Sequence, residues 1–592
     1  MRLGPFGSNG KEAAKPMSTT VTSPVAAAGG SFLLESRTPE EIFTPEDLTE
    51  EQGQIAATAQ QFAREEILPC SAAIEAKEPG VLESVLRKAA ELGFTAVDIP
   101  EEYGGLGMDK ISSTVVTDHI SVLASFSTAF GAHIGIATLP LVWYGTEEQK
   151  RRYLPKLATC EWIGAYGLSE ASSGSDAMNI RTRATLSSDG AHYILNGEKF
   201  SAFLIERGTH GLTVGAEEHK LGIRGSSTCP LVLQDCKIPK ENLLGEIGKG
   251  HHIAFNVLNV GRLKLGVACI GGGRNALAHM IRYAKERHAF GKAIAEFGLI
   301  QRKISSAAAR LFAAESMAYR TAGLIDANLS RLAAGQPGQS IDVPRSIENY
   351  AVECSILKVY GSEMLSLVTD ELIATMGGYG YVQEYPAERY YRDARINRIF
   401  EGTNEINRLI ITGWLMKQAL SGKLPLLQAI KSVMDEVTAP PSFGSDSASS
   451  DPLAREAAVL AAVKKMSLFA AGVASQRFMT GLEEQQEIMA DLADMISHVY
   501  ALESALLRAQ KMAAARRSTA EAAAAMTGLL ADETMAFAEH AARRVLAGCA
   551  EGDALQTQLA ILRRLARFMP ADSVQLSRTV AKHAIALERY PI

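Results

Sequence analysis

Arg392-Asp-Ala-Arg-Ile-Asn-Arg-Ile-Phe-Glu-Gly-Thr-Asn-Glu405 is the stretch around which the rest of the chain can be ordered. Thr403 has the side chain to cap a helix that starts at the next residue, and Glu401 stands just ahead of that cap. A carboxylate there is favoured by the helix dipole, which requires no function. Buried in an apolar cleft, the same carboxyl would have a raised pKa, the balance that a base for proton abstraction needs. The residues alone leave both readings open.

On the amino-terminal side of this stretch lies Met376-Gly-Gly-Tyr-Gly-Tyr381, and before it a long helical region. Ile300, Ile304, Ala307, Leu311, Ala314 and Ala318 recur at spacings of four and three, one buried helical stripe. On the carboxy-terminal side, Ile488, Leu492, Met495, Val499, Leu502 and Leu506 repeat the pattern. The texture changes between 163 and 248. Strand-like runs at 191–195, 202–205 and 231–233 are broken by Asp189-Gly190, Asn196-Gly197, Gly208 and Gly211.

The expected fold class is therefore mostly α with a small central β domain, barrel-like, and a further helical domain at the carboxy terminus. Residues 1–35 are expected to be disordered. The N-terminal helical domain then takes 36–162, the middle β domain 163–248, and a four-helix bundle 249–424. Residues 425–452, with Ala439-Pro-Pro-Ser-Phe-Gly-Ser, read as a linker, and 453–592 as a separate helical block.

Of 592 residues, 47% are apolar and 21% charged, values of a globular chain long enough for two to four domains. The formal net charge of −6 gives no basic face for nucleic acid. Seven cysteines lie scattered without metal-ligand spacing, so reduced thiols, a cytoplasmic location and no metal are expected. The amino terminus lacks the apolar core of a secretion signal, and no run of apolar residues is long enough to suggest a spanning helix.

Two more segments carry chemistry. Tyr166-Gly-Leu-Ser-Glu-Ala-Ser-Ser-Gly-Ser-Asp176 would let backbone N–H groups approach a flat or anionic ligand. Arg287-His-Ala-Phe-Gly-Lys292 could hold a pyrophosphate. Taken singly, the first is more often a plain turn and the second a solvated helix end.

Together, in this order, the segments resemble the acyl-CoA dehydrogenase family over about residues 40–420. The extra helical block brings the whole closest to the very-long-chain branch. The resemblance implies FAD as cofactor and a fatty acyl-CoA, long-chain, as substrate. It implies Glu401 as the base that takes the α-proton, giving a trans-2-enoyl-CoA in β-oxidation. A second subgroup of the family carries its base immediately before an arginine that here matches Arg262; the residue in that place is Gly261, which cannot serve. Substrate contacts map to Ser175, Asn259, Arg262 and Gly402. Flavin contacts map to Tyr166, Leu168, Ser169, Arg287, Phe290, Gly377, Gly378, Thr403 and Glu405. An electron-transferring flavoprotein is the implied electron acceptor, a homodimer the implied assembly, and a membrane surface a candidate contact of 453–592. Ala132 matches a position where a small residue leaves a deeper acyl slot.

One departure stands out. Relatives follow Leu-Asn-Gly-Glu-Lys with a Trp-bearing strand that backs the flavin, and with a further strand. This chain runs Leu195-Asn-Gly-Glu-Lys-Phe-Ser-Ala-Phe-Leu-Ile-Glu-Arg207, as though a segment were deleted after Lys199. Such a loss would weaken FAD binding and expose strand edges. The competing expectations are a flavin-poor, silent homologue serving as a scaffold, and an acyl-CoA oxidase.

Overall fold

Threonines open the turns that lead into the first long helix. Thr44 caps the short turn Pro45–Asp47, and the Thr49 side chain accepts from the Gln52 N–H at the start of helix Glu50–Phe62. The computed structural model describes residues 27–170, 172–195, 201–335, 342–438 and 452–592. Helices Glu50–Phe62, Val81–Glu91, Lys110–Ile120, Ala124–Gly131, Thr138–Tyr144 and Glu147–Ala158 form the first layer. Phe62, Leu86, Phe94, Phe126 and Phe130 make a core of their own there.

The strands that follow are two to four residues long. Ala184–Leu186, His192–Leu195 and Cys236–Pro239 form one antiparallel sheet, in register Ala184↔Leu195 and Leu195↔Cys236. Leu212–Val214 pairs with Leu231–Leu233, and Ala202–Phe203 with Leu243–Leu244, as separate ribbons. The barrel-like expectation is corrected here: among the described residues the strands make small sheets and no closed barrel. Ladders this short have too few hydrogen bonds to link into a continuous wall. Gly197, Glu198 and Lys199, where the expected deletion joins, lie outside the described residues.

Helices Gly250–Glu286, Gly298–Gly335, Ala351–Met376 and Asn404–Leu420 pack lengthwise. In the expected stripe Ile304, Ala307, Leu311, Ala314 and Ala318 are fully buried. Among the described residues, three helical stretches, Ala124–Tyr144, Gly250–Glu286 and Ala454–Glu484, are long and apolar enough by length and composition to cross a membrane, contrary to expectation. The middle one is the centre of the bundle, so its apolar surface is spent on helix packing.

The chain past 420 departs further from expectation. Part of the expected linker is helix Leu426–Thr438, with Val433 and Val437 buried. Helices Ala454–Phe478, Gln486–Ala514, Ala520–Cys549, Gly552–Leu565 and Ser573–Leu587 share one continuous core with the bundle rather than forming a separate block. Buried Arg508 pairs with Glu46 and with Glu315, each at 2.7 Å, and Arg320 pairs with Glu503 at 2.8 Å. The expected disorder of 1–35 is also corrected over 27–35. Phe32 packs on Tyr500 with ring centroids 4.6 Å apart, and the Gly30 N–H donates to Glu353 at 2.7 Å. Apolar Phe32 and Leu33 outweigh the Gly and Ser around them.

Candidate active site

Helix Asn404–Leu420 begins as predicted, with Thr403 Oγ1 accepting from the Ile406 N–H at 3.3 Å. The two residues before the cap both have left-handed backbones, Glu401 at φ 59° and Gly402 at φ 81°. For Glu401 that conformation costs on the order of 1–3 kcal/mol and must be held by its surroundings. Three side chains hold it. Asn407 Nδ2 donates to the Gly402 and Thr403 carbonyls at 2.8 and 3.0 Å. Lys358 Nζ donates to the Gly402 carbonyl at 2.7 Å, and Arg262 Nε to the Glu401 carbonyl at 3.3 Å.

The Glu401 carboxylate lies against Gly261, on helix Gly250–Glu286. A Cβ at 261 would stand 2.5 Å from Oε2 and 2.8 Å from Cδ. Oε2 is sealed from solvent and has no hydrogen-bond partner. Burial pushes the carboxyl up to about 7, although the Arg262 and Lys358 charges oppose that rise. Tyr166 is near enough to feel the same charge: burial first, and then Glu401, raise its phenol.

Asn259 accepts from Arg262 Nη1 at 2.9 Å, and both are buried. The entry of the Tyr166 segment is fixed by His133, whose Nδ1 accepts from the Gly164 N–H at 2.9 Å while Nε2 meets the Leu157 carbonyl at 3.0 Å. That pairing requires a neutral ring, and burial lowers its pKa accordingly. Ala132 is half-buried in the wide helical turn Ala132–Ala137 that carries His133.

Glu401, Gly402, Thr403, Asn259, Arg262 and Tyr166 are thus brought together. Leu168 is half-buried, and Ser169, Ser175 and Glu405 are exposed. Arg287 and Phe290 sit apart, at the hairpin His288–Ala289/Lys292–Ala293, with Phe290 96% exposed. Gly377 and Gly378 are exposed at the end of helix Ala351–Met376, with nothing within 4 Å of where a Cβ would be. Tyr283 links these two outer groups by donating to the Met376 carbonyl at 3.3 Å. A cavity of about 280 Å³ beside Ala27, Asn328, Arg331 and Lys423 contains none of these residues.

Sequence reasoning missed Lys358, Asn404 and Asn407. The available signal was a lone lysine inside Ile356-Leu-Lys-Val359, an apolar helical run where a charge must have a partner.

A family model described as acyl-CoA dehydrogenase, N-terminal domain, matches residues 49–161. Two described as acyl-CoA dehydrogenase, C-terminal domain, match 248–416 and 462–564. The chain is 43% identical to a "Probable acyl-CoA dehydrogenase" of Bacillus subtilis over 587 residues, covering 95% of this chain and 98% of that one. It is 33% identical to the rat mitochondrial "Short-chain specific acyl-CoA dehydrogenase", covering 66% of this chain and 98% of the relative. The crystal structure of an acyl-CoA dehydrogenase complexed with FAD from Bacillus anthracis superposes with a TM-score of 0.92 at 42% identity, over 96% of this chain and all of that one. With a relative and a solved structure that each match it over nearly their full lengths, the chain belongs to the acyl-CoA dehydrogenase family.

Proposed function

We propose that the chain desaturates an acyl-CoA thioester between its α and β carbons, yielding a trans-2-enoyl-CoA, with Glu401 as the base. The Glu401 carboxyl carries this reading. Its Oε2 is unpartnered and sealed from water, and burial raises the carboxyl to about 7, so it can accept a proton from carbon near neutral pH. FAD, when bound, supplies the acceptor for the hydride that leaves the β-carbon.

The residues present suit that cofactor. Open backbone at Gly377 and Gly378 allows close approach of a dinucleotide, and the exposed Arg287 offers a guanidinium to its phosphates. Thr403 and Glu405 lie at the same helix start as Glu401, and Tyr166, Leu168 and Ser169 would edge the ring. Arg262 and Asn259 shape the loop beside the thioester, and Gly402 and Ser175 would face the substrate. Replacing Glu401 by Gln tests the assignment. A flavin-loaded E401Q protein should lose desaturation by about a thousandfold or more while still binding acyl-CoA, and full-speed turnover would refute the base.

Several finer points belong to the same proposal. A long acyl chain is favoured by the small Ala132, and Ala132→Phe should shorten the preferred chain. The very-long-chain branch is favoured because the extra helical block is built into the core. Electron-transferring flavoprotein is the proposed acceptor, and peroxide formed in air would instead indicate an oxidase. A homodimer is favoured by Phe290 and Leu299, 96% and 75% exposed, which a second copy would cover. Seven free cysteines suit a cytoplasmic location. A membrane surface stays a candidate contact of 453–592, tested by sedimentation with vesicles.

The proposal includes a segment lost after Lys199. The reading rests on the run Gly197-Glu-Lys-Phe-Ser-Ala-Phe-Leu-Ile-Glu-Arg207, which goes from the Leu-Asn-Gly-Glu-Lys segment into a Phe-Leu-Ile-Glu-Arg strand with no Trp-bearing strand between. Leu231 and Val232 are 55% and 52% exposed on a two-stranded ribbon, as a sheet missing its neighbour would leave them. That exposure favours the second reading, a flavin-poor scaffold. The purified protein's visible spectrum decides between them: stoichiometric yellow flavin excludes the scaffold, and its absence excludes the dehydrogenase.

A further inference from the structure

We propose that Lys358 is a positioning residue for the reaction, fixing the Glu401 loop through the Gly402 carbonyl and holding the Glu401 carboxyl ionisable with its charge. The inference rests on Glu401 being the base.

Lys358 lies on helix Ala351–Met376 and is completely buried. A buried ammonium is costly unless its donors are used. Here Nζ donates to the Gly402 carbonyl and to Asn404 Oδ1, both at 2.7 Å. The Gly402 carbonyl follows directly on Glu401, so this bond fixes the second of two successive left-handed residues. Without the lysine, the loop would keep Asn407 and the longer Arg262 bond alone.

Asn404 is itself braced. Its Nδ2 donates to Ser362 Oγ at 3.1 Å and to Glu363 at 3.0 Å. Arg408 donates to Glu363 at 2.9 Å and to Asp494 at 2.7 Å. Lys358 is thus the inner end of a polar chain that starts on helix Gln486–Ala514, in the carboxy-terminal block.

Charge gives the second role. Arg262 and Lys358 are the cations acting on Glu401, and both oppose the rise that burial causes. The other titratable groups facing the pair are Tyr166, Cys269, Cys354 and Glu405. Burial pushes both thiols up to about 12, so they remain neutral and compensate nothing. Burial also brings the Lys358 ammonium down to about 8, near enough to neutral pH for the site to respond to its loss.

The test compares Lys358→Met and Lys358→Gln with the wild-type holoenzyme across pH. Gln keeps amide N–H donors but no charge. The acid limb of kcat should move up by about one pH unit in both variants, as expected for losing a nearby opposite charge. At pH 7 kcat should fall about fivefold to tenfold in the Gln variant, and further in the Met variant, with KM for acyl-CoA within about twofold. A purely structural lysine would lower the melting temperature and flavin content without moving the limb. The proposal fails if either variant folds, loads flavin and keeps the wild-type pH profile, or if neither folds, which would make Lys358 a stability residue. E401Q retaining activity would instead overturn the base assignment, a separate outcome.

Discussion

Gly261 on one helix and Glu401 on the loop before another are matched: the glycine's missing side chain is the space that the carboxylate occupies. A Cβ at 261 would approach Oε2 to 2.5 Å, inside any tolerable contact. The carboxylate would have to swing, and its loop is clamped by Lys358, Asn407 and Arg262. Gly261→Ala should therefore lower kcat by about a hundredfold, the order expected for displacing a reacting group by about 1 Å. Helix Gly250–Glu286 should form at least as well with alanine there. Steady-state kinetics beside thermal melting would check this, and an unchanged kcat would mean the carboxylate has room to spare.

The same burial fixes a pH dependence. As a base, Glu401 acts when ionised, so the rate should rise as pH increases through about 7. Stability should run the other way. A carboxyl whose folded pKa is raised favours the fold fully below its ordinary value near 4.5, and that contribution is lost as pH rises through 7. E401Q, which carries no charge to bury, should gain on the order of 2 kcal/mol over wild type at pH 8 and little at pH 5. Denaturant melts at the two values measure it, and equal gains at both would mean the carboxyl is not desolvated.

Much of this was legible beforehand, for physical reasons. The stripe Ile304 to Ala318 and the Thr403 cap are local patterns, and the structure has them where the residues place them. Glu401 beside Thr403 was visible, but its approach to Gly261 joins residues 140 apart, which no local pattern encodes. Lys358 stayed hidden because its acceptors are a backbone carbonyl and an amide on another helix. The disorder expected of 27–35 failed on two apolar residues, Phe32 and Leu33, set among small ones. The separateness expected of 453–592 failed because a polar linker composition says nothing of the core beneath it.

That shared core gives a prediction at Arg508. Its guanidinium serves Glu46 and Glu315, and Tyr590 donates to the same Glu315 oxygen at 3.1 Å. Arg274 is a second partner of Glu315 at 2.6 Å and also binds Asp118. Arg508→Leu leaves a buried carboxylate short of partners and should cost about 3–5 kcal/mol. The two arginines hold Glu315 down to about 2, so the wild-type contribution is present above its ordinary value near 4.5 and lost as pH falls towards 2. The R508L deficit should accordingly shrink on acidification, and a deficit that stays constant with pH would assign it to packing alone.

The amino-terminal segment offers the last test. Gly30 has φ 80°, and a Cβ there would come within 2.4 Å of Leu415 Cδ2, on the helix that Thr403 caps. Its N–H meets Glu353, a carboxyl that burial pushes up to about 7 and whose second oxygen has no partner. Phe32, two residues on, is buried against Tyr500 of the carboxy-terminal block. The segment thus ties the bundle to that block, and Phe32→Ala should cost about 3–4 kcal/mol, the usual loss for a buried ring. Glu353→Gln keeps an acceptor for the Gly30 N–H and removes a charge that is costly when ionised. It should stabilise the protein at pH 8 and change little at pH 5, where wild-type Glu353 is already protonated. Should Glu353→Gln weaken the fold at pH 8 as much as Phe32→Ala does, the segment would be held by the carboxylate's charge rather than by its apolar side chains.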